Sequence, residues 1–174
     1  MIIFPESEQH LSRASLIRRL AAMFYDALLC IALMMVTTGI YMMMSKVAIG
    51  GEAYKAMNDS GQTIHDPLLS SVLFITLFGF FGYFWTKTGQ TLGMQVWHIR
   101  VQTKDGYSIS WTQALLRFFM AAFSFACFGL GYLWMLIDKQ DRTWQCIFSE
   151  TKIVRVPKRE HDKSGNLKPL DPKN

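Results

Sequence analysis

The sequence predicts an all-α membrane protein that carries a small two-stranded ribbon, and three observations support this fold class. Apolar residues make up 51% of the 174-residue chain, a high fraction for a soluble domain. They are concentrated in three long stretches, at about residues 20–44, 68–85 and 111–137, which together hold two charged side chains. Two short segments elsewhere alternate apolar and polar residues with the period of a β-strand.

The first two stretches predict full transmembrane helices. Residues 20–44 carry one charge, Asp26, and their 25 residues would rise ~37 Å as a helix, which exceeds the ~30 Å hydrocarbon core of a bilayer. Residues 68–85 are uncharged, and Gly79 and Gly82 would let another helix approach this one closely. We expect a loop of about 20 residues between the two helices, with a short helix around Glu52–Met57 as an option, because the intervening segment is rich in Gly, Asn, Asp and Pro turn signals.

The third stretch, residues 111–137, has two interpretations. It contains Arg117 near its start and a break at Gly129 and Gly131 near its middle, where a re-entrant hairpin would turn. Three Lys or Arg residues precede the first stretch, two lie in the first loop, three lie in the second, and nine follow residue 137. The positive-inside rule is obeyed only if the third stretch returns to the side it came from. We therefore predict a re-entrant hairpin and two cytoplasmic termini, with a plain third span as the alternative.

The alternating segments predict the ribbon. Residues 99–103 and 151–156 both alternate apolar and polar side chains, and we expect them to pair at the cytoplasmic face. The chain then divides into a flexible N-terminus, residues 1–14, a membrane domain, residues 15–156, and a disordered basic tail, residues 157–174.

Three ionisable residues are the candidate functional residues: Arg19, Asp26 and Arg117. Arg19 and Asp26 are seven residues apart, so two helical turns place them on one face. A lone carboxylate within a bilayer is costly and faces the protein interior, a cation or water. Arg117 is the best partner from another helix, because a guanidinium can bind a carboxylate through two hydrogen bonds. The pattern indicates either an ion or proton site or a buried charge pair that holds helices together, and the second interpretation is favoured.

The sequence contains no recognisable catalytic or metal-binding pattern. The cysteines Cys30, Cys127 and Cys146 form no close pair with one another or with His, and no nucleophile–base pair or Gly-rich phosphate loop occurs. We therefore expect a protein that is not an enzyme and that has no metal and no cofactor. Half of the Lys and Arg residues lie in a tail beside apolar segments, which favours the lipid bilayer as a partner over nucleic acid.

Several short motifs occur in an order that resembles the RDD family of bacterial membrane proteins. They are Arg18-Arg19-Leu20-Ala21-Ala22 followed by Asp26, Thr88-Gly89-Gln90-Thr91-Leu92-Gly93, Ile99-Arg100-Val101, Leu116-Arg117, Arg142-Thr143-Trp144-Gln145, and Thr151 with Ile153-Val154. The resemblance covers about residues 13–156. Its family-motif positions are Gly89, Thr91, Gly93, Cys146 and Thr151.

The resemblance includes one departure from the family pattern. The family is named for one Arg and two Asp; the first two of these correspond to Arg19 and Asp26, while Cys146 stands where the second Asp is expected. If the second Asp handles ions in relatives, this chain has lost that activity; if it only caps a turn, Cys146 is a tolerable replacement. The family resemblance implies a bacterial inner-membrane protein with suggested roles in transport, including sodium–proton exchange in some members, and it names no substrate.

Three functional hypotheses follow from these observations. The first is a non-catalytic accessory or assembly subunit that packs against other membrane proteins or against itself as a homo-oligomer, because two spans and a hairpin make a poor transport pathway alone. The second is an oligomeric transporter or cation–proton exchanger that uses Asp26. The third is a lipid-binding membrane protein that uses the basic tail.

Overall fold

The computed structural model describes residues 4, 11–61 and 66–156, and they form a mostly helical protein with one two-stranded sheet. The helices are α1 (Leu16–Ile49), α2 (Gly51–Asp59), α3 (Pro67–Lys87), α4 (Leu92–Val96), α5 (Trp111–Ala126), α6 (Leu130–Leu133), continued by a 3₁₀ turn (Trp134–Leu136), and α7 (Trp144–Phe148). The strands are β1 (Ile99–Thr103) and β2 (Thr151–Arg155). The predicted basic tail lies outside the described residues.

Among the described residues, α1 and α3 are the two unbroken helices long and apolar enough to cross a membrane, as predicted. The 21 residues of α3 rise ~31 Å and the 34 residues of α1 rise ~51 Å, so α1 is longer than the predicted span. The polar residues Ser45 and Lys46 continue the helix, which ends only at Gly50, where a φ of 86° suits glycine. The predicted long loop is therefore largely helical, since α2 begins at once.

The packing of α3 is set at its two ends. Asp66 caps its first turn by accepting a hydrogen bond from the Leu68 N–H at 2.9 Å, and the Tyr41 hydroxyl of α1 donates to the same carboxylate. At the other end Gly82 is buried against the ring of Trp111 from α5, as the close-approach prediction requires. A Cβ at Gly79 would meet nothing within 4 Å, so that glycine faces outward.

The third apolar stretch is broken and sharply bent. Ser110 and Gln113 form a reciprocal capping box that begins α5. The chain turns at Phe128 and Gly129, whose φ values are 53° and 78°, and the helices on either side are bent by 107°. The turn falls at the predicted Gly129/Gly131 break, so the stretch is not one straight helix.

The two strands form the predicted ribbon, antiparallel, with Ile99 opposite Arg155 and Thr103 opposite Thr151. Residues 12–14, predicted to be flexible, instead run along β2: the Ala14 N–H donates to the Ile153 carbonyl at 3.1 Å, and the Arg155 N–H donates to the Ser12 carbonyl at 2.9 Å. A two-stranded ribbon is marginal alone, and this third segment covers its free edge. We call this part of the molecule, where the ribbon, the start of α1, α4 and α7 meet, the ribbon end.

The hydrophobic core is concentrated at the ribbon end. Its buried members are Ala14, Ala22, Met94, Ile99, Val101, Ile109, Ala114, Cys146 and Ile153. In the most apolar 18-residue segment of each spanning helix, only 6% of the residues of α1 and 11% of those of α3 are buried inside the protein. Most of their apolar side chains therefore face the surroundings. That arrangement is unfavourable in water and normal in a bilayer.

Candidate functional site

Asp26 is buried on α1 and is held by uncharged donors. The Thr91 hydroxyl donates to Oδ2 at 2.5 Å, and the Gly93 N–H donates to Oδ1 at 2.9 Å. Thr91 is also the N-cap of α4 and accepts a hydrogen bond from the Met94 N–H at 3.3 Å. The carboxylate therefore fastens α4 to α1, and the predicted direct pair with Arg117 does not form.

Two glycines of the family motif let the backbone reach this position. A Cβ at Gly93 would lie against the Ala22 carbonyl oxygen and 2.9 Å from Asp26 Oδ1. Gly89 has a φ of 70°, and a Cβ there would lie 2.6 Å from the Val101 carbonyl oxygen. Glycine is therefore required at both places, since any side chain would force α4 away from α1 or from β1.

Arg19 is buried about two turns before Asp26 but does not contact it. Its Nε donates to the Ala14 carbonyl at 3.0 Å and its Nη2 donates to the Asp141 carbonyl at 3.2 Å. Its Nη1 is buried and has no hydrogen-bond partner among the described residues. Arg19 thus ties the start of α1 to the loop that precedes α7 and keeps one donor unused.

Arg117 connects α5 with β2 and α7. Its Nη1 donates to the Thr151 hydroxyl at 2.5 Å and approaches Cys146 Sγ at 3.6 Å, while its guanidinium carbon lies 5.2 Å from the centre of the Trp85 ring. Its Nε is buried, and the part of the chain that the structure describes offers it no hydrogen-bond partner. The family-motif position Thr151 is therefore an acceptor for this arginine.

Cys146, which stands where the family resemblance places an Asp, is buried at the start of α7 between Arg117 and Thr143. The Thr143 hydroxyl donates to Sγ at 3.3 Å. Burial raises the pKa of the thiol, but the positive charges of Arg117 and Arg19 and the hydrogen bond from Thr143 outweigh it and lower the pKa overall. The position is thus electropositive and suits an anionic side chain.

The three candidate residues share one cavity. Arg19, Asp26 and Arg117 all line a space of about 360 Å³ between α1, α3 and α5. Sequence reasoning placed these residues near one another, and it missed Gln145 and Tyr132, which also line the cavity. Gln145 belongs to the motif Arg142-Thr143-Trp144-Gln145, which could have indicated it. Nothing in the sequence singles out Tyr132.

A second, smaller pocket of about 220 Å³ lies at the ribbon end. Its basic lining residues are Arg13, Lys104, Arg142 and Lys152. Two of these cations are paired: Arg142 Nε lies 2.9 Å from Asp138 Oδ2, and Lys104 Nζ lies 3.5 Å from Glu150 Oε1. In the part of the chain that the structure describes, no three His, Cys, Asp or Glu side chains are grouped to hold a metal ion.

Two outward-facing apolar helices of membrane-spanning length, with buried charges gathered at one end, define a membrane protein. The model of the RDD family matches residues 13–149, which is most of the chain, and the protein belongs to that family. Searches of curated proteins and of solved structures find no match.

Proposed function

We propose that this protein is a non-catalytic accessory or assembly subunit of the bacterial inner membrane, which packs against a larger membrane protein. The observation that carries the proposal is the use made of the buried charges. Asp26 fastens α4, Arg19 fastens the loop before α7, and Arg117 fastens β2. Each of the three residues holds the ribbon end together.

The rest of the apolar region offers no route for an ion through a single copy. No charged residue lies in segments 27–45, 67–86 or 118–136. Polar or charged groups line the pathways of transporters and channels through the bilayer. A single copy therefore has no charged residue in these segments beyond Asp26, which supports a packing role over a transport role.

The proposed topology places the ribbon end and both termini in the cytoplasm, with α1 and α3 as spans and α5–α6 as a re-entrant hairpin. The sharp bend at Gly129 supports it, because the chain leaves the ribbon end along α5 and is back beside Arg19 at Asp141. The nine Lys and Arg residues after residue 137 then lie on the cytoplasmic side, as the positive-inside rule requires.

The partner surface is proposed to lie on α3 around Gly79. The space beside Gly79 is open, whereas the ring of Trp111 fills the space beside Gly82. A glycine on a Phe-rich helix lets a neighbouring helix come close. Gly79→Leu should remove a partner without disturbing the chain's own packing. Gly39→Leu on α1 is the matched control, since a Cβ there also meets nothing within 4 Å.

The experiment is purification of the tagged full chain in a gentle detergent, with mass and co-purifying proteins measured together. A stoichiometric larger membrane protein that is lost with Gly79→Leu and retained with Gly39→Leu supports the proposal. A homo-oligomer without a partner that moves cations in liposomes contradicts it.

The alternative, a cation–proton exchanger, is favoured by the position of Asp26 on the cavity wall. It predicts that Asp26→Asn abolishes cation flux while expression and mass stay unchanged. The accessory role predicts no flux in either chain and a loss of stability in the variant, so the two hypotheses are separated by one pair of proteins.

A further inference from the structure

Among the residues that the structure describes, nothing satisfies some of the donors of the buried arginines at the cavity. Arg19 and Arg117 are each 3% exposed, and Arg19 Nη1 and Arg117 Nε have no hydrogen-bond partner. A buried cation with unused donors is costly, and an anion that accepts from them relieves the cost. Among the described residues, the Asp26 carboxylate in the same cavity forms no ion pair with either arginine and accepts instead from Thr91 and Gly93.

The walls of the cavity change from polar to apolar along its length. The end of the cavity nearest the ribbon is lined by the two arginines together with Thr143 and Gln145. Its other walls are mainly apolar side chains of α3 and α5, which include Leu77, Phe81, Phe118, Ala121 and Phe125. The volume of about 360 Å³ lies within the range of small-molecule pockets.

This combination selects one class of ligand. A small soluble anion would leave the apolar walls uncovered, and a neutral lipid would leave the arginine donors unused. An anionic head on an apolar chain satisfies both parts, because a carboxylate or phosphate accepts charge-assisted hydrogen bonds from guanidinium groups.

We propose that the cavity between α1, α3 and α5 binds a membrane amphiphile with a carboxylate or phosphate head. The head accepts hydrogen bonds from Arg19 Nη1 and Arg117 Nε, and the chain lies along the α3 and α5 walls. The site is independent of the proposed partner surface, since Gly79 does not line the cavity.

The experiment uses the full chain in phosphatidylcholine vesicles with a photoreactive stearic acid that carries a diazirine on its chain. The matched probe is the corresponding alcohol, which has the same chain and no charge. Labelled residues are mapped by peptide mass spectrometry. We expect the acid to label Ala121 and Phe125 about tenfold more than the alcohol, the size expected for charge-assisted hydrogen bonds. Equal labelling by acid and alcohol would overturn the proposal.

Two further arms locate the site and the source of the anion. Ala121→Phe fills the cavity and leaves both arginines in place, whereas Ala126→Phe changes the same helix outside the cavity lining. The first variant should reduce acid labelling to the level of the alcohol, and the second should leave it unchanged. Labelling that survives Ala121→Phe, or that excess inorganic phosphate displaces, argues against a membrane amphiphile. The acid–alcohol comparison on the unaltered chain decides the matter if Ala121→Phe fails to fold.

Discussion

The ribbon end differs in construction from the outer lengths of α1 and α3, by which we mean the parts of these two helices that lie away from the ribbon end. At the ribbon end the buried side chains include Arg19, Asp26, Thr91 and Arg117, which are joined by hydrogen bonds to neighbouring segments. Along the outer lengths of α1 and α3, most side chains are apolar and face outward. The comparison teaches that packing fixes the position of the helices mainly at one end, while the other lengths depend on the bilayer or on a partner.

The largest effect is expected from Gly93→Val, because α4 packs closely against α1 at this position of the ribbon end. A Cβ there collides with the Ala22 backbone, which cannot rotate away as a side chain can, so α4 must separate from α1. We expect a loss of about 3 kcal/mol or more in the free energy of unfolding, measured by thermal or denaturant unfolding in detergent. Gly79→Val on the outer length of α3 is the control, and an equal loss there would remove the contrast between the two regions.

Asp26→Leu should come next, because it leaves the Thr91 hydroxyl and the Gly93 N–H buried without an acceptor. The expected loss is about 2–4 kcal/mol, and Asp26→Asn should lose less because its amide oxygen can still accept one hydrogen bond. Unfolding curves of the two variants against the unaltered chain measure this. A stable Asp26→Leu protein would show that the carboxylate is not structural and would favour the exchanger.

Cys146→Asp should stabilise the protein by about 1 kcal/mol, since it supplies a carboxylate beside Arg117 where only a thiol now lies. The same change should weaken labelling by the photoreactive acid, because the arginines gain an internal counter-charge. Cys30→Asp on the outer side of Asp26 is the contrasting variant and should destabilise. A Cys146→Asp chain that is less stable than the original would contradict the electropositive character of this position.

The smallest effect concerns pH at the edge of the ribbon end. Hydrogen bonds from Arg142 lower the pKa of Asp138 from its ordinary 3.8 to about 2. A lowered folded-state pKa stabilises the fold above the unfolded value, and this contribution disappears as the pH falls from about 4 to about 2. Asp138→Asn should flatten that part of the stability–pH curve slightly. An unchanged curve would mean that the exposed pair contributes nothing measurable.

Strong, local patterns in the sequence predicted the two spans, the break at Gly129 and the pairing of β1 with β2. The partner of Asp26 could not be predicted, because charge patterns point to Arg117 while the actual donors, Thr91 and Gly93, are uncharged. The length of α1 was underestimated because Ser45 and Lys46 look like loop residues, although both fit a helix. The ordered segment at residues 12–14 gave no signal, since its role is to cover β2 and depends on tertiary contacts.

The hydrogen bond between Thr91 and Asp26 also has a consequence for the order in which the protein assembles during synthesis. The two residues are 65 positions apart in the chain, so the carboxylate of α1 is synthesised well before the threonine that covers it. The closing strand, β2, comes later still, and its Arg155 hydrogen-bonds back to Ser12. The first and last described segments of the membrane domain therefore join only when synthesis of that domain is complete. A chain truncated before residue 151 would lack β2, so neither β1 nor the segment that precedes α1 would have its partner strand.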